Sequence, residues 1–191
     1  MKVLLLSSYR KQLVEFLELD KDEVIVTEEK INSGSKILKD IDFIISYGYR
    51  CVFKEDLIKL FPNKIINIHI SFLPWNRGAD PNLWSFLEDT PKGVSIHYVD
   101  SGIDTGDILV QKEIFFTEDE TLKTSYNKLN EAAFELFKKY WNDIKREKII
   151  SKPHNQNGSF HRLKDRQKYQ HLLDRGWDTP VTDLVGKALQ F

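Results

Sequence analysis

Residues 66–74 read Ile66-Asn67-Ile68-His69-Ile70-Ser71-Phe72-Leu73-Pro74, and this stretch decides the architecture. Side chains two apart along a strand share a face. Ile66, Ile68 and Ile70 therefore occupy one face, and Asn67 and His69 emerge side by side on the other. A polar pair on an otherwise apolar strand is costly unless it has partners. Two readings follow: a hydrogen-bonded histidine at a sheet edge, or a pair that does chemistry. Pro74 and Gly78 mark a turn beyond the strand tip.

Working outward, the strand spans residues 64–70 and is the fourth. Before it, Val3 to Leu6 is a continuous apolar run, as in a strand buried on both faces. Leu13, Phe16 and Leu17 then share a helical face. Val24 to Val26 and Asp42 to Ser46 read as strands, with a helix or loop over 33–39 between them. Lys54 to Leu60 reads as a short helix stopped before Pro62. Strands separated by helices imply a parallel sheet with right-handed crossovers. The expected class is α/β, a Rossmann-like, mostly parallel sheet with flanking helices.

After the strand tip, Leu83 to Leu87 is a short helix behind Pro81. Residues 94–99 and 108–116 are further strands. Thr121 to Lys148 is the longest helix, with Thr121 as N-cap and Leu122, Leu129, Phe134, Phe137 and Trp141 as an apolar stripe. Pro153 and Gly158 interrupt a polar stretch from Ser151 to Ser159. A charged helical stretch then runs to Leu173, followed by a loop around Gly176 to Pro180. The chain divides into a catalytic domain, residues 1–150, and a carboxyl-terminal extension, 151–191. The extension is too small to fold alone and must pack on the domain or on a partner subunit.

Two strands are joined by Asp100-Ser101-Gly102-Ile103-Asp104-Thr105-Gly106-Asp107. Three carboxylates and two glycines in eight residues suit a solvated hairpin or a loop wrapped around a ligand. No bidentate Glu stands where an EF-hand needs one. The loop and the Asn67–His69 tip are expected to meet at the carboxyl ends of neighbouring strands, where open α/β sheets bind ligands. Asn, His and Asp form a set for acyl transfer. Asn67 and His69 donate to a carbonyl oxygen that gains charge. Asp104 orients the imidazole and moves protons. No serine or cysteine occupies a nucleophile elbow, which favours direct attack by an acceptor.

The 191 residues are 41% hydrophobic, enough for one core, and the formal net charge is -1. That balance argues against nucleic acid as a partner. Cys51 is the single cysteine, so the chain alone forms no disulfide and no cysteine metal cluster. The first apolar run is too short for a secretory signal, and no stretch approaches the ~20 apolar residues of a membrane span. A cytoplasmic protein without membrane contact is expected.

The segment from Ile66 to Pro74 resembles the motif of the folate-dependent formyltransferases, which include glycinamide ribonucleotide, methionyl-tRNA and sugar N-formyltransferases. The Asp100 to Ile108 segment is similar to that family's second motif, and Ser46-Tyr47-Gly48-Tyr49 falls where the family lines its folate pocket. The resemblance covers roughly residues 1–145 and implies the formyltransferase fold. It also implies Asn67, His69 and Asp104 as the catalytic trio and 10-formyltetrahydrofolate as donor, without a metal. The pterin would lie between Tyr47, Gly48, Tyr49 and Arg50 on one side and Ile103, Thr105, Gly106 and Asp107 on the other, beside Leu73. The departures are Ile70 after His69, Phe72-Leu73-Pro74 for Leu-Leu-Pro, and a short lead before Asn67. The short lead implies that part of the usual nucleotide-binding sheet is missing.

The tRNA enzymes carry a large carboxyl-terminal domain, and the tail here is too short for one. Trp75-Asn76-Arg77-Gly78-Ala79-Asp80-Pro81-Asn82-Leu83-Trp84 looks like the small sugar N-formyltransferases, which formylate nucleotide-linked amino-deoxy sugars for surface polysaccharides such as the O-antigen of lipopolysaccharide. Trp75, Asn76, Arg77, Gly78, Asn82 and Trp84 are the expected sugar contacts, indoles stacking and Arg clamping a phosphate. Gly158 to Arg162 is similar to that subgroup's tail, which supports the sugar site or a homodimer. The rivals are formyl transfer to another small amine, hydrolysis of formyltetrahydrofolate, a folate-binding module without turnover, and a metal site using His69, His97 and the acidic loop.

Overall fold

A computed structural model of the chain describes residues 1–8, 10–153 and 157–189. Part of the polar 151–159 stretch read from sequence lies outside the described residues.

The first half alternates as read. Strand β1 (Lys2–Leu6) is followed by helix α1 (Lys11–Leu19), β2 (Glu23–Thr27), a 3-10 turn at Lys36–Leu38, β3 (Phe43–Ser46), helix α2 (Glu55–Leu60) and β4 (Ile65–His69). The segment 33–39 is a turn because Asn32 and Ser35 hydrogen-bond local backbone amides, an alternative to helix that such side chains offer. Beyond β4 come the two-residue β5 (Arg77–Gly78), α3 (Pro81–Leu87), β6 (Gly93–Tyr98), β7 (Ile108–Glu113) and α4 (Leu122–Ile144). Thr121 caps α4, its hydroxyl accepting from the Thr124 amide.

The main sheet has the order β2-β1-β3-β4-β6-β7. The first four strands are parallel, whereas β6 runs antiparallel to β4 and to β7. The short lead therefore still supplies three parallel strands before β4. Ile66 and Ile68 join Val3, Leu5, Phe43 and Ile45 in the core beneath α1 and α4, where Leu129, Phe137 and Trp141 of α4 are buried. Each fully buried aliphatic side chain of this kind contributes about 2 kcal/mol. The opposite face packs Leu4, Ile44 and Ile65 against Ile31 and Leu57. Among the described residues no helix is long and apolar enough to cross a membrane.

The tail is irregular. Its two-residue strand β8 (Phe160–His161) pairs with β5, and the charged stretch Leu163–Leu172 is 3-10 rather than α. It buries no residue of its own over those ten positions, so it lacks the apolar stripe that would stabilise an amphipathic helix. Val181 and Leu184 anchor the end of the tail beside Trp84 and Leu87 of α3 and Leu122 of α4.

Candidate active site

Asn67 lies directly across from His97, and His69 across from Ser95, on the antiparallel β4–β6 pair. The acidic loop leaves β6 at the amino end of β4, because β6 is antiparallel. The expectation that it starts at the carboxyl end is thus corrected. The loop instead folds back along the sheet to bring Asp104 to the pair. Gly106 makes this return possible: a Cβ there would sit 1.9 Å from the Tyr98 carbonyl oxygen.

Asp104 is held from four directions. Asn67 donates from Nδ2 to its Oδ1 at 3.0 Å, and the Gly78 amide donates to its Oδ2 at 2.8 Å. His97 Nε2 lies 3.4 Å from Oδ1, and His69 Nε2 lies 3.7 Å from Oδ2. Burial works against the charged carboxylate, but the charge of His69, the hydrogen bond and charge of His97 and the Gly78 amide outweigh it. The carboxyl is held well below its usual range. The backbone at Asp104 has φ 52°, a left-handed conformation in which Asp is tolerated better than most residues.

His97, read from sequence as a packed strand residue outside the trio, is 2% exposed and central to this cluster. Its Nδ1 lies 2.7 Å from the Tyr98 carbonyl and must donate to it. Nε2 then accepts from Asn67, 3.3 Å away, when the ring is neutral, and donates to Asp104 when it is charged. His69 directs Nε2 at the Asn76 carbonyl, 3.1 Å away, which leaves Nδ1 for a ligand. Ser95 donates to the Ser71 carbonyl and accepts from the Leu73 amide, and Gln111 holds the Leu73 carbonyl. These bonds pin the turn after β4 and hold the His69 end of the strand.

The trio opens into a cleft of about 730 Å³. Tyr47, Gly48, Tyr49, Arg50 and Ile103 line it, as do Gly78 and Asn82. Tyr47 is buried under the Arg10 guanidinium, 3.6 Å above its ring, and donates to Asn130. Tyr49 pins its loop by accepting from the Ile31 amide and donating to the Glu29 carbonyl. These groups and the acidic loop form a concave, partly apolar bed.

Other expected contacts stand elsewhere. Leu73 is buried and tied by its backbone. Thr105 donates to Asp100 inside the acidic loop, and Gly106 and Asp107 face a separate, shallower concavity of about 490 Å³. Neither Trp75, Asn76, Arg77 nor Trp84 lines the large cleft. Asn76 is fully buried and donates to Thr90. Trp84 is 4% exposed, its indole stacked 3.7 Å from the His161 ring. Asn76 and Trp84 are turned into the protein, which corrects the sugar contact expected of them, while Trp75 and Arg77 are half-buried outside the cleft lining.

Arg77 and Gly78 show why. The Arg77 and Ala79 amides donate to Ser159 and His161 carbonyls of the tail, while the Gly78 amide between them donates to Asp104. Alternating amide directions along a strand thus join the tail on one edge to the carboxylate on the other. Only glycine fits: Gly78 has φ 88°, and a Cβ would sit 2.3 Å from the His161 carbonyl oxygen. Missed by sequence reasoning were Arg10, Tyr126, Asn130, Leu163, Arg166 and Trp177, which also line the cleft. They come from α1's entry, α4 and the tail, and no local motif marks them. Among the described residues no group of three His, Cys, Asp or Glu is placed to hold a metal ion.

An amide, two imidazoles and a carboxylate meet at the floor of this cleft, and residues 23–140 match the formyl transferase family. The chain belongs to that family. It is 53% identical to the formyltransferase PseJ from Anoxybacillus kamchatkensis, whose crystal structure is a complex with UDP-4,6-dideoxy-4-formamido-L-AltNAc and tetrahydrofolate. That likeness covers 98% of this chain and 100% of PseJ, with a TM-score of 0.96. A 4-N formyltransferase from Francisella tularensis shares the fold, at 24% identity and a TM-score of 0.76 over 87% of this chain and 78% of that one. The methionyl-tRNA formyltransferase of Prochlorococcus marinus subsp. pastoris is 32% identical over 166 residues, 79% of this chain and 48% of the relative. The chain spans about half the length of the curated relatives it matches.

Proposed function

We propose that the chain transfers a formyl group from 10-formyltetrahydrofolate to the amino group of a nucleotide-linked amino-deoxy sugar. One observation carries this: Asn67, His69 and Asp104 converge in a cleft that also holds the Tyr47–Arg50 loop. The likeness to PseJ over the full length of both chains supports the sugar acceptor over tRNA.

When bound, the folate supplies a formyl carbon activated by attachment to an aryl amine nitrogen. Tyr47, Tyr49 and Ile103 hold the pterin. The free Nδ1 of a protonated His69 donates toward the formyl oxygen, joined by the Nδ2 hydrogen of Asn67 that is released when His97 turns its own proton to Asp104. Asp104, ionised before the attack, steadies the positive charge on His69 and relays the proton shed by the attacking amine to the folate nitrogen released as its bond to the formyl carbon breaks. His97 and the Gly78 amide fix the carboxylate. The test incubates the chain with 10-formyltetrahydrofolate and a panel of UDP- and dTDP-linked amino sugars, read by a mass gain of one formyl group. Formylation of at least one sugar is expected. Formate release with no formylated sugar favours hydrolysis instead.

A further inference from the structure

We infer that Asn76 is a positioning residue for the transfer: its backbone carbonyl, held in place by Thr90 and Ser159, fixes the tautomer and the aim of the His69 imidazole. The inference deepens the reading above and rests on it. Asn76 stands in the turn beyond β4, is fully buried and does not line the large cleft. Its backbone has φ 54°, in the left-handed region that Asn adopts at lower cost than most residues. Its carbonyl oxygen lies 3.1 Å from His69 Nε2. A carbonyl only accepts, so the hydrogen of the neutral ring sits on Nε2 and the lone pair on Nδ1. A hydrogen bond of this kind decides which ring nitrogen carries the proton.

Asp104 is the lesser partner for that proton. Its Oδ2 lies 3.7 Å from the same nitrogen and already accepts from the Gly78 amide at 2.8 Å. At that separation it acts on the ring through charge rather than through a hydrogen bond. The carbonyl, by contrast, is tied from two sides. The Asn76 amide donates to Ser159 Oγ at 2.9 Å, and its side-chain Nδ2 donates to Thr90 Oγ1 at 2.8 Å. Thr90 is itself buried, and its amide donates to the Ser85 carbonyl of α3 at 3.1 Å. Both ties come from outside the main sheet, one from the segment after α3 and one from the tail. A reacting group displaced by about 1 Å loses up to about 100-fold in rate. Bonds that hold the imidazole's partner therefore act on the rate without touching either substrate.

The test has a spectroscopic arm and a kinetic one, both on the full chain. Thr90→Val keeps the side-chain shape and removes the hydroxyl, and Thr90→Ser restores it. Asn76→Gly keeps the left-handed backbone and removes the side-chain tie, which covers the case of a Thr90→Val chain that fails to fold. Long-range 1H–15N correlations of the imidazoles are recorded at about pH 9, where the ring is neutral; the His69 signals are those missing from His69→Gln. Wild type, Thr90→Ser and Asp104→Asn are expected to show the Nε2–H tautomer alone, and Thr90→Val and Asn76→Gly a mixture of both. With 10-formyltetrahydrofolate and an accepted amino sugar, Thr90→Val lowers kcat about tenfold or more, with both KM values within about twofold. Thr90→Ser recovers kcat to within about threefold. The inference is overturned if the wild-type ring carries its proton on Nδ1, or if Asp104→Asn mixes the tautomers while Thr90→Val and Asn76→Gly do not. A normal kcat in a Thr90→Val chain with mixed tautomers removes the positioning role and keeps the proposed reaction. A single Nε2–H tautomer lost in Thr90→Val, with no sugar formylated by wild type, keeps the role of Asn76 toward His69 and removes the reaction.

Discussion

Strands β4 and β8 both serve Asp104, by opposite means. β4 lies inside a six-stranded sheet, hydrogen-bonded on both edges, and presents Asn67 and His69 directly. β8 is two residues long, pairs only with β5, and reaches Asp104 through the Gly78 amide. The first is rigid because a core stands behind it. The second owes its position to a few backbone bonds, the His161–Trp84 stack and a contact of 3.1 Å between His161 and Glu88. Burial alone would raise the Glu88 carboxyl, yet His161 and Ser159 hold it below its usual range. The site's polar groups can thus sit on a core strand while an appendage outside the sheet sets the alignment of one of them.

The largest break in this comparison is Asp104→Asn. It is expected to lower kcat/KM about 10³-fold or more, with the circular dichroism spectrum retained. Because the folded carboxyl lies below its unfolded value near 3.9, its stabilisation is full above that pH and is lost as pH falls through the folded value. The Tm gap between wild type and variant should therefore hold from pH 8 to 5 and close below about pH 4. A gap that widens in acid would contradict the assignment.

Gly78→Ala strikes both supports at once. The new Cβ meets the His161 carbonyl, and a cost of about 3 kcal/mol lowers Tm by about 6–12 °C, with activity down about 100-fold. His161→Ala tests the tail alone. Loss of the stack and the Glu88 pair should cost about 1–2 kcal/mol, and lower kcat more than it raises either KM. An unchanged kcat would mean that the tail does not hold Gly78 in place. The smallest effect is expected of Tyr49→Phe, which frees the Ile31 amide and raises the folate KM about fivefold, with the sugar KM unchanged.

The trio and its strand were legible because alternation of Ile with Asn and His is a local pattern. The parallel half of the sheet was legible for the same reason. His97 was not, since its meaning depends on register: only pairing opposite Asn67 turns a strand histidine into a partner of Asp104. The direction of β6 was likewise invisible, and with it the route of the acidic loop. Trp84 resembled a sugar contact because the sequence shows an indole but not the imidazole stacked over it. Arg10 and Trp177 stand 167 positions apart, and only the fold brings them to one cleft.

The three consecutive amides of Arg77, Gly78 and Ala79 work as a lever whose long arm is the tail. Anything that grips the last forty residues, whether an antibody, a fusion partner or a protease nick, would pull on one edge of that tripeptide and turn the middle N–H away from the carboxylate. Such handling would slow turnover, so a tag at that end is a perturbation of rate and not a neutral label.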